Sequence, residues 1–399
     1  MGGGGAPSGR AVQNGRVTAD TRRPHLLVHA GWELFGSDRM LLESARGLRE
    51  ADERVVVALP AAGPLVGELQ AAGVEVLIPP TFALRKSALR PRNWLRSLRD
   101  AVRGFVAAVV ITRRLRPRTL YVSTIVLPLW PLVGRLLRVP TVTHVHEAEA
   151  SAARIVNTVL YAPHLAAHRI IVNSEFTMRT VGSVIPALGR RATLIPNGVD
   201  SPDSVPEPRA VIDRLRIAYV GRISHRKGPD VAVEAVALLG DAGIEAELDL
   251  IGAVFEGNEA YDETLRRRTD ELGVAHLVQH HGFRSDVWPA LGAADVLVVP
   301  SRQDESFGNT AVEGVLAGRP VVASEIPGLR EAVGAYGSAA FVAPGDASAL
   351  ADALAHVVAD WSALRVTALA DRDRAKERFA PEVYRATIAA FLSDLARGR

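Results

Sequence analysis

Residues 294–324 read ADVLVVPSRQDESFGNTAVEGVLAGRPVVAS. An apolar, β-branched run (ADVLVVPS, 294–301) gives way to a polar loop, then to a helical pattern from near Asn309, then to a second apolar run (RPVVAS, 319–324). Strand, helix and strand in this order form a crossover unit, which joins parallel strands. Outward from it the pattern repeats. LRIAYVG (215–221), AELDLIG (246–252) and VQHHGF (278–283) precede it, and AAFVAP (339–344) follows, with helix-length segments between. The first half holds HLLVHA (25–30), ERVVVAL (53–59), VEVLIP (74–79), TLYVS (119–123), PTVTHVH (140–146) and RIIVNS (169–174). Such continuous apolar runs suit strands covered on both faces. SPDSVPEP (201–208) lies between the two series, Pro-rich and without periodicity, and reads as a linker. The expectation is an α/β chain of two facing, doubly wound domains with a cleft between them. The tail covers 1–24, the first domain 25–200, the linker 201–212, the second domain 213–378, and a last helix falls within 379–399.

A chain of 399 residues with 48% apolar content can bury two cores. It has no cysteine, which removes disulfides, thiolate metal sites and a cysteine nucleophile, and fits a cytoplasmic protein. The Gly-rich start (MGGGGAPSGR) lacks the apolar segment of a signal peptide. The best membrane-span candidate, 119–137, is interrupted by Pro128, Pro131 and Arg135. The net charge of +3 hides an asymmetry: residues 1–205 hold 26 Lys+Arg against 15 Asp+Glu, and residues 206–399 hold 21 against 29. One basic half suggests an anionic partner.

Chemistry concentrates where strands end. Near Phe307 to Ala311 the first N–H groups of a helix lack intrahelical partners and, with the helix dipole, form an anion site. Gly308 permits close approach, and Phe307, Asn309 and Thr310 share the turn. Glu305 precedes this nest and Glu313 lies about one turn inside the helix. Carboxylates accept from paired hydroxyls and bind phosphate poorly, so this arrangement suits a diphosphate with hydroxyl-bearing groups on both sides, as in a nucleotide sugar. Glu263 and Glu271 have the same spacing but lie in DETLRRRTDELG, a charged, solvated helix. YVGRISHRKGPD (219–230) follows a strand and offers Arg222 and Lys227 to phosphate. Only three lysines stand among 44 arginines, which marks Lys227 out. HVHE (144–147) ends a strand with His144 and His146 on one face, and GWELFGSD (31–38) is a loop before a helix from about Arg39. No dinucleotide-binding GxGxxG or P-loop motif occurs, and no further cluster accompanies the histidines as a metal site.

These segments together resemble the retaining family-4 glycosyltransferases of the GT-B fold, which pairs two Rossmann-like domains. The matches are FGSDR (35–39), HVHE (144–147), VNSEF (172–176), IPNGVD (195–200), GRISHRKG (221–228), HGF (281–283), PSRQDESFGNTAVEG (300–314) and PGLREAV (327–333), in the family's order. The resemblance implies a nucleotide-sugar donor and no metal or other cofactor. Glu305 would take donor-sugar hydroxyls, Glu313 the ribose, and Arg222 and Lys227 the diphosphate. Phe307 to Thr310 would supply backbone donors, and His146, or alternatively His144, would contact the donor sugar. Gly36 and Ser37 would close on the phosphates from the first domain, although Phe35 stands where many members have a second glycine. The last helix would pack back on the first domain. An epimerase of similar fold and a catalytically dead nucleotide-sugar-binding protein are the alternative readings.

Residues 81–118 contain 11 Lys+Arg and one acid, Asp100. Trp94, Leu95, Leu98, Val102 and Phe105 recur at helical spacing among Arg92, Arg96, Arg99 and Arg103. A basic amphipathic helix suits an anionic membrane surface, which points to a peripheral protein on the inner face of the membrane and a lipid-linked or membrane-proximal glycan acceptor. No nucleic-acid recognition fold accompanies the charge.

Overall fold

A computed structural model describes residues 22–84, 94–147, 153–254 and 257–398. The tail up to residue 21, and Arg92 of the basic stretch, lie outside the described residues. The chain runs β1 (His25–Val28), α1 (Gly36–Glu50), β2 (Val55–Ala58), α2 (Pro64–Ala71), β3 (Glu75–Leu77), α3 (Trp94–Leu115), β4 (Thr119–Val122), α4 (Leu129–Leu136), β5 (Thr141–Val145), α5 (Arg154–Tyr161), β6 (Arg169–Val172), α6 (Glu175–Val184), α7 (Pro186–Gly189) and β7 (Ala192–Leu194). The second series is β8 (Leu215–Val220), α8 (Pro229–Asp241), β9 (Ala246–Ile251), α9 (Glu259–Glu271), β10 (Val278–Gly282), α10 (Trp288–Ala293), β11 (Val296–Val299), α11 (Asn309–Leu316), β12 (Val321–Ser324), α12 (Pro327–Val333), β13 (Ala339–Val342), α13 (Ala347–Ala359), α14 (Trp361–Arg378) and α15 (Pro381–Ala396).

The strands form two parallel sheets, ordered β3-β2-β1-β4-β5-β6-β7 and β10-β9-β8-β11-β12-β13. Their order reverses direction between β1 and β4 and between β8 and β11, the switch points where doubly wound sheets open a crevice at their carboxyl ends. Fully buried aliphatic residues of β1, β2 and β4 explain the unbroken apolar runs: Leu26, Leu27, Val56, Val57 and Leu120 have no exposed surface. Strand β7 is short and half-exposed at the sheet edge, so ATL lacks an apolar signature in the sequence.

Helices α1 and α15 share a core on one face of the first sheet, where Tyr384, Ile388 and Leu392 meet Leu41, Ala45 and Leu48. The last helix therefore lies on the first domain. The return passes Gly198, where a Cβ would come within 2.8 Å of both Pro381 Cα and Tyr384 Cβ, so only glycine fits between the crossing segments. Val199 N–H donates to Phe379 O at 3.0 Å in the same crossing.

The Pro-rich linker is held to the second domain. Arg319 Nη2 donates to Pro206 O (2.7 Å), Arg365 Nε to Pro208 O (2.9 Å), and Arg209 pairs with the buried Asp295 (2.6 Å).

On the opposite face of the first sheet, α3 presents Gly104, Ala108 and Thr112 inward. Phe105 packs partly into this core, while Trp94 (62% exposed), Leu95 (86%), Leu98 and Val102 face outward. Phe105 thus belongs to the packed side of the helix, and the other four form a separate, unburied stripe. Among the described residues no helix is long and apolar enough to cross a membrane.

Candidate active site

A cavity of about 540 Å³ lies between the carboxyl ends of the two sheets. It is lined by Gly36, Ser37, His146, Arg222, Lys227, Glu305, Phe307, Gly308, Asn309, Thr310 and Glu313. Arg222 follows β8 and Glu305 follows β11, the two strands that flank the switch point of the second sheet. Of the twelve residues expected at the site, His144 alone is missing from this lining. Glu263 and Glu271 are exposed on α9, away from the cavity.

Gly308 caps α11 with φ +91°, a left-handed conformation that favours glycine, and a Cβ there would strike Leu329 Cδ2 at 2.6 Å. The helix thus begins at the cavity wall. Lys227 Nζ donates to Glu305 Oε1 at 2.5 Å, Ser301 Oγ to the same oxygen at 2.8 Å, and Arg226 Nη2 lies 3.6 Å from Oε2. Burial pushes the Glu305 carboxyl up, but Lys227, Arg226 and these hydrogen bonds outweigh it and hold it below the ordinary carboxylate range. Glu313 goes the other way: burial raises it, against the opposing pull of Arg39 and Lys227. Arg226 and Arg39 were not among the expected site residues. No local pattern ties Arg39 to a carboxylate 274 positions away.

On the other wall, His144 and His146 stack with centroids 3.9 Å apart. His146 faces the cavity. His144 is fully buried behind it and shares a 2.6 Å hydrogen bond with the hydroxyl of Tyr121, in a cluster that continues through Ser44 to Tyr384 of α15. Burial, reinforced by His144 and His29, holds His146 well below the usual imidazole range, so the ring is neutral at neutral pH. Helix α1 begins at Gly36, earlier than its apolar periodicity indicates. Asp38 accepts from Phe35 N–H (3.1 Å) and from His29 Nε2 (2.7 Å), which nucleates the first turn around a buried carboxylate.

The domains touch at the site. Ser306 Oγ donates to His146 O (2.5 Å), Ser174 Oγ donates to Ser306 O, and Asn197 Nδ2 donates to Asn309 Oδ1 (2.8 Å). Glu331 of α12 accepts from Glu175 N–H (2.6 Å) and Phe176 N–H (3.0 Å), capping α6 across the domain boundary. Among the described residues no group of three His, Asp or Glu side chains gathers as for a metal ion.

Residues 36–201 match the Glycosyltransferase Family 4 domain and residues 203–376 the Glycosyl transferases group 1 domain. The chain belongs to the GT-B glycosyltransferases that combine these two domains. It is 31% identical to the 2-deoxystreptamine glucosyltransferase of Streptomyces kanamyceticus over 274 residues, 62% of this chain and 69% of that one. It is 38% identical to the D-inositol 3-phosphate glycosyltransferase of Thermomonospora curvata over 176 residues, 42% of this chain and 37% of the relative. Its fold is similar to that of Anabaena HepE in complex with UDP-glucose, with a TM-score of 0.79 and 21% identity over 93% of this chain and 99% of that one.

Proposed function

We propose that the chain moves a sugar from a nucleoside-diphosphate sugar to an acceptor, with retention at the anomeric carbon and without a metal. One observation carries this reading: Glu305, Glu313, Arg222, Lys227 and the start of α11 share one cavity. Departure of a nucleoside diphosphate builds negative charge on its phosphate oxygens. Arg222, Lys227 and the N–H groups at the start of α11, which line one cavity, would stabilise it as preorganised donors. Neutral His146 contributes a hydrogen bond to the donor sugar, not charge. Glu305, held ionised, accepts from sugar hydroxyls, and Glu313 from the ribose. Gly36 and Ser37 approach the phosphates from the first domain; a Cβ on Gly36 would lie 3.3 Å from Asn309 Nδ2. The carboxylates are engaged by cations, which favours front-face attack over a carboxylate nucleophile.

The proposed acceptor is a lipid-linked or membrane-proximal glycan, and the protein sits peripherally on the cytoplasmic face of the membrane. Support comes from the outward Trp94, Leu95, Leu98 and Val102 of α3, flanked by Arg96, Arg99 and Arg103. Helix α4, which packs against α3, carries the exposed Leu132 and Leu136. An apolar patch rimmed by arginines matches an anionic bilayer surface.

The deciding experiment is thermal shift with UDP-, GDP-, dTDP- and ADP-sugars, followed by NMR of the product from the best binder. Stabilisation and a retained anomeric configuration are expected. No stabilisation by any donor would refute the donor reading, an inverted product would refute retention, and a C2-epimer without transfer would make the protein an epimerase. Donor binding without turnover would mark a dead site.

A further inference from the structure

Helix α1 reaches across the cleft with two side chains one turn apart, Phe35 at its cap and Arg39. The guanidinium of Arg39 is fixed from three sides. Nε donates to Leu34 O at 3.0 Å, which sets the plane of the fork; Nη1 donates to Glu313 Oε1 at 3.1 Å; Nη2 donates to Ser285 O at 2.8 Å. The first partner belongs to its own domain, and the other two lie on separate segments of the second. Beside it the Phe35 ring meets Phe283 edge-on, centroids 5.7 Å apart, and Arg222 lies 5.8 Å from the Phe35 centroid. A second cavity of about 320 Å³ shares Leu34, Arg39, Asn309 and Glu313 with the main one, so the Arg39–Glu313 pair stands between the two.

Resting on the glycosyltransferase reading above, we propose that Arg39 is a positioning residue for the donor ribose: it holds Glu313 and the loop at Ser285 in register, so that the nucleoside end of the donor site is complete only when the first domain is docked. A carboxylate has about four lone-pair directions, and Arg39 occupies one, which leaves Glu313 able to accept from both hydroxyls of a ribose. An unsupported side chain would have to be ordered by the ligand itself, at a cost in affinity. Arg39 also opposes the upward push that burial exerts on the Glu313 carboxyl. The Phe35 ring reaches Phe283 across the cleft, a second contact from the start of α1 to the loop that carries Ser285.

The test is calorimetric titration of UDP against 2′-deoxy-UDP, with the guanosine and adenosine pairs run alongside because the base is open. The wild-type protein should prefer the ribonucleotide by about tenfold, the worth of one good hydrogen bond to a charged group. Arg39→Ala should lose most of that preference, Arg39→Lys should recover part of it, and Arg39→Ala combined with Glu313→Ala should bind no more weakly than Glu313→Ala alone. A merely structural role for Arg39 would weaken ribo- and deoxynucleotide equally. Undiminished preference in Arg39→Ala, or a wild-type protein that binds both forms equally well, overturns the proposal and leaves the glycosyltransferase reading standing. A wild-type protein that binds none of the nucleotides overturns that reading, and the role of Arg39 falls with it. Arg39→Gln gives the same comparison if the alanine variant does not fold.

Discussion

Lys227 and Glu305 share a 2.5 Å hydrogen bond inside the cleft, although 78 positions separate them. One comes from the loop after β8 and the other from the loop after β11, so their pairing exists only because those strands are neighbours. Glu305→Gln and Lys227→Ala should each lower turnover by about 10²–10³-fold, the usual cost of removing one preorganised electrostatic contact. Because the two groups act as a unit, the double variant should cost little more than the worse single one. Steady-state kinetics with circular dichroism as a fold control provides the check, and near-wild-type turnover in either single variant would remove that residue from the site.

Buried histidines make stability depend on pH. Burial lowers His25 and His164 to about 4 and His144 to about 3, from 6.5 in the unfolded chain. Above pH 6.5 the rings are neutral in both states and contribute no pH dependence. Below it the unfolded chain takes up protons that the folded chain refuses, so stability falls as pH drops towards the folded values. Each ring should contribute a slope of about 1.4 kcal/mol per pH unit in this window. Thermal unfolding at pH 7.5, 6.0 and 5.0 should show Tm declining, with a smaller decline in His164→Asn. A flat profile would contradict the buried, neutral assignment.

The two stacked histidines should separate cleanly in their effects. His146→Ala should lower turnover with little change in Tm, because the ring borders the cavity. His144→Ala should lower Tm, since it opens a cavity and strips the buried Tyr121 hydroxyl of a partner. The reverse pattern would assign the donor contact to His144.

If cationic side chains and helix N–H groups neutralise the diphosphate, transfer should survive EDTA. Loss of activity restored by Mg²⁺ or Mn²⁺ would overturn the metal-independent reading.

Liposome co-sedimentation tests the α3 face. Binding should require anionic lipid and fall as salt rises. Changing Arg96, Arg99 and Arg103 to Glu should weaken it by at least about 1 kcal/mol per site, and Leu95→Asp should weaken it further through the apolar stripe. Equal binding to neutral vesicles, or none to anionic ones, would refute the membrane face and favour a soluble acceptor.

Periodicity in the sequence indicated both sheets, except the half-exposed edge strand β7, because apolar runs and amphipathic helices are local consequences of burial on a layered core. Strand ends and the helix start also singled out Glu305, Glu313, Arg222 and Lys227, which the fold brings to one cavity. What the sequence could not contain is which loops face one another. The Arg39–Glu313 bridge, the Phe35–Phe283 contact and the cap that Glu331 places on α6 all join residues of different domains. His144 and His146 share one strand face, but only the packing of β4 beneath them sends one to Tyr121 and leaves the other at the cavity. On α3 the same apolar spacing served two sides, and only the close fit of Gly104, Ala108 and Thr112 against the sheet decided that Phe105 turns in while Trp94 and Leu95 face solvent. Contacts between distant segments carry no period along the chain, so tertiary structure alone decides them.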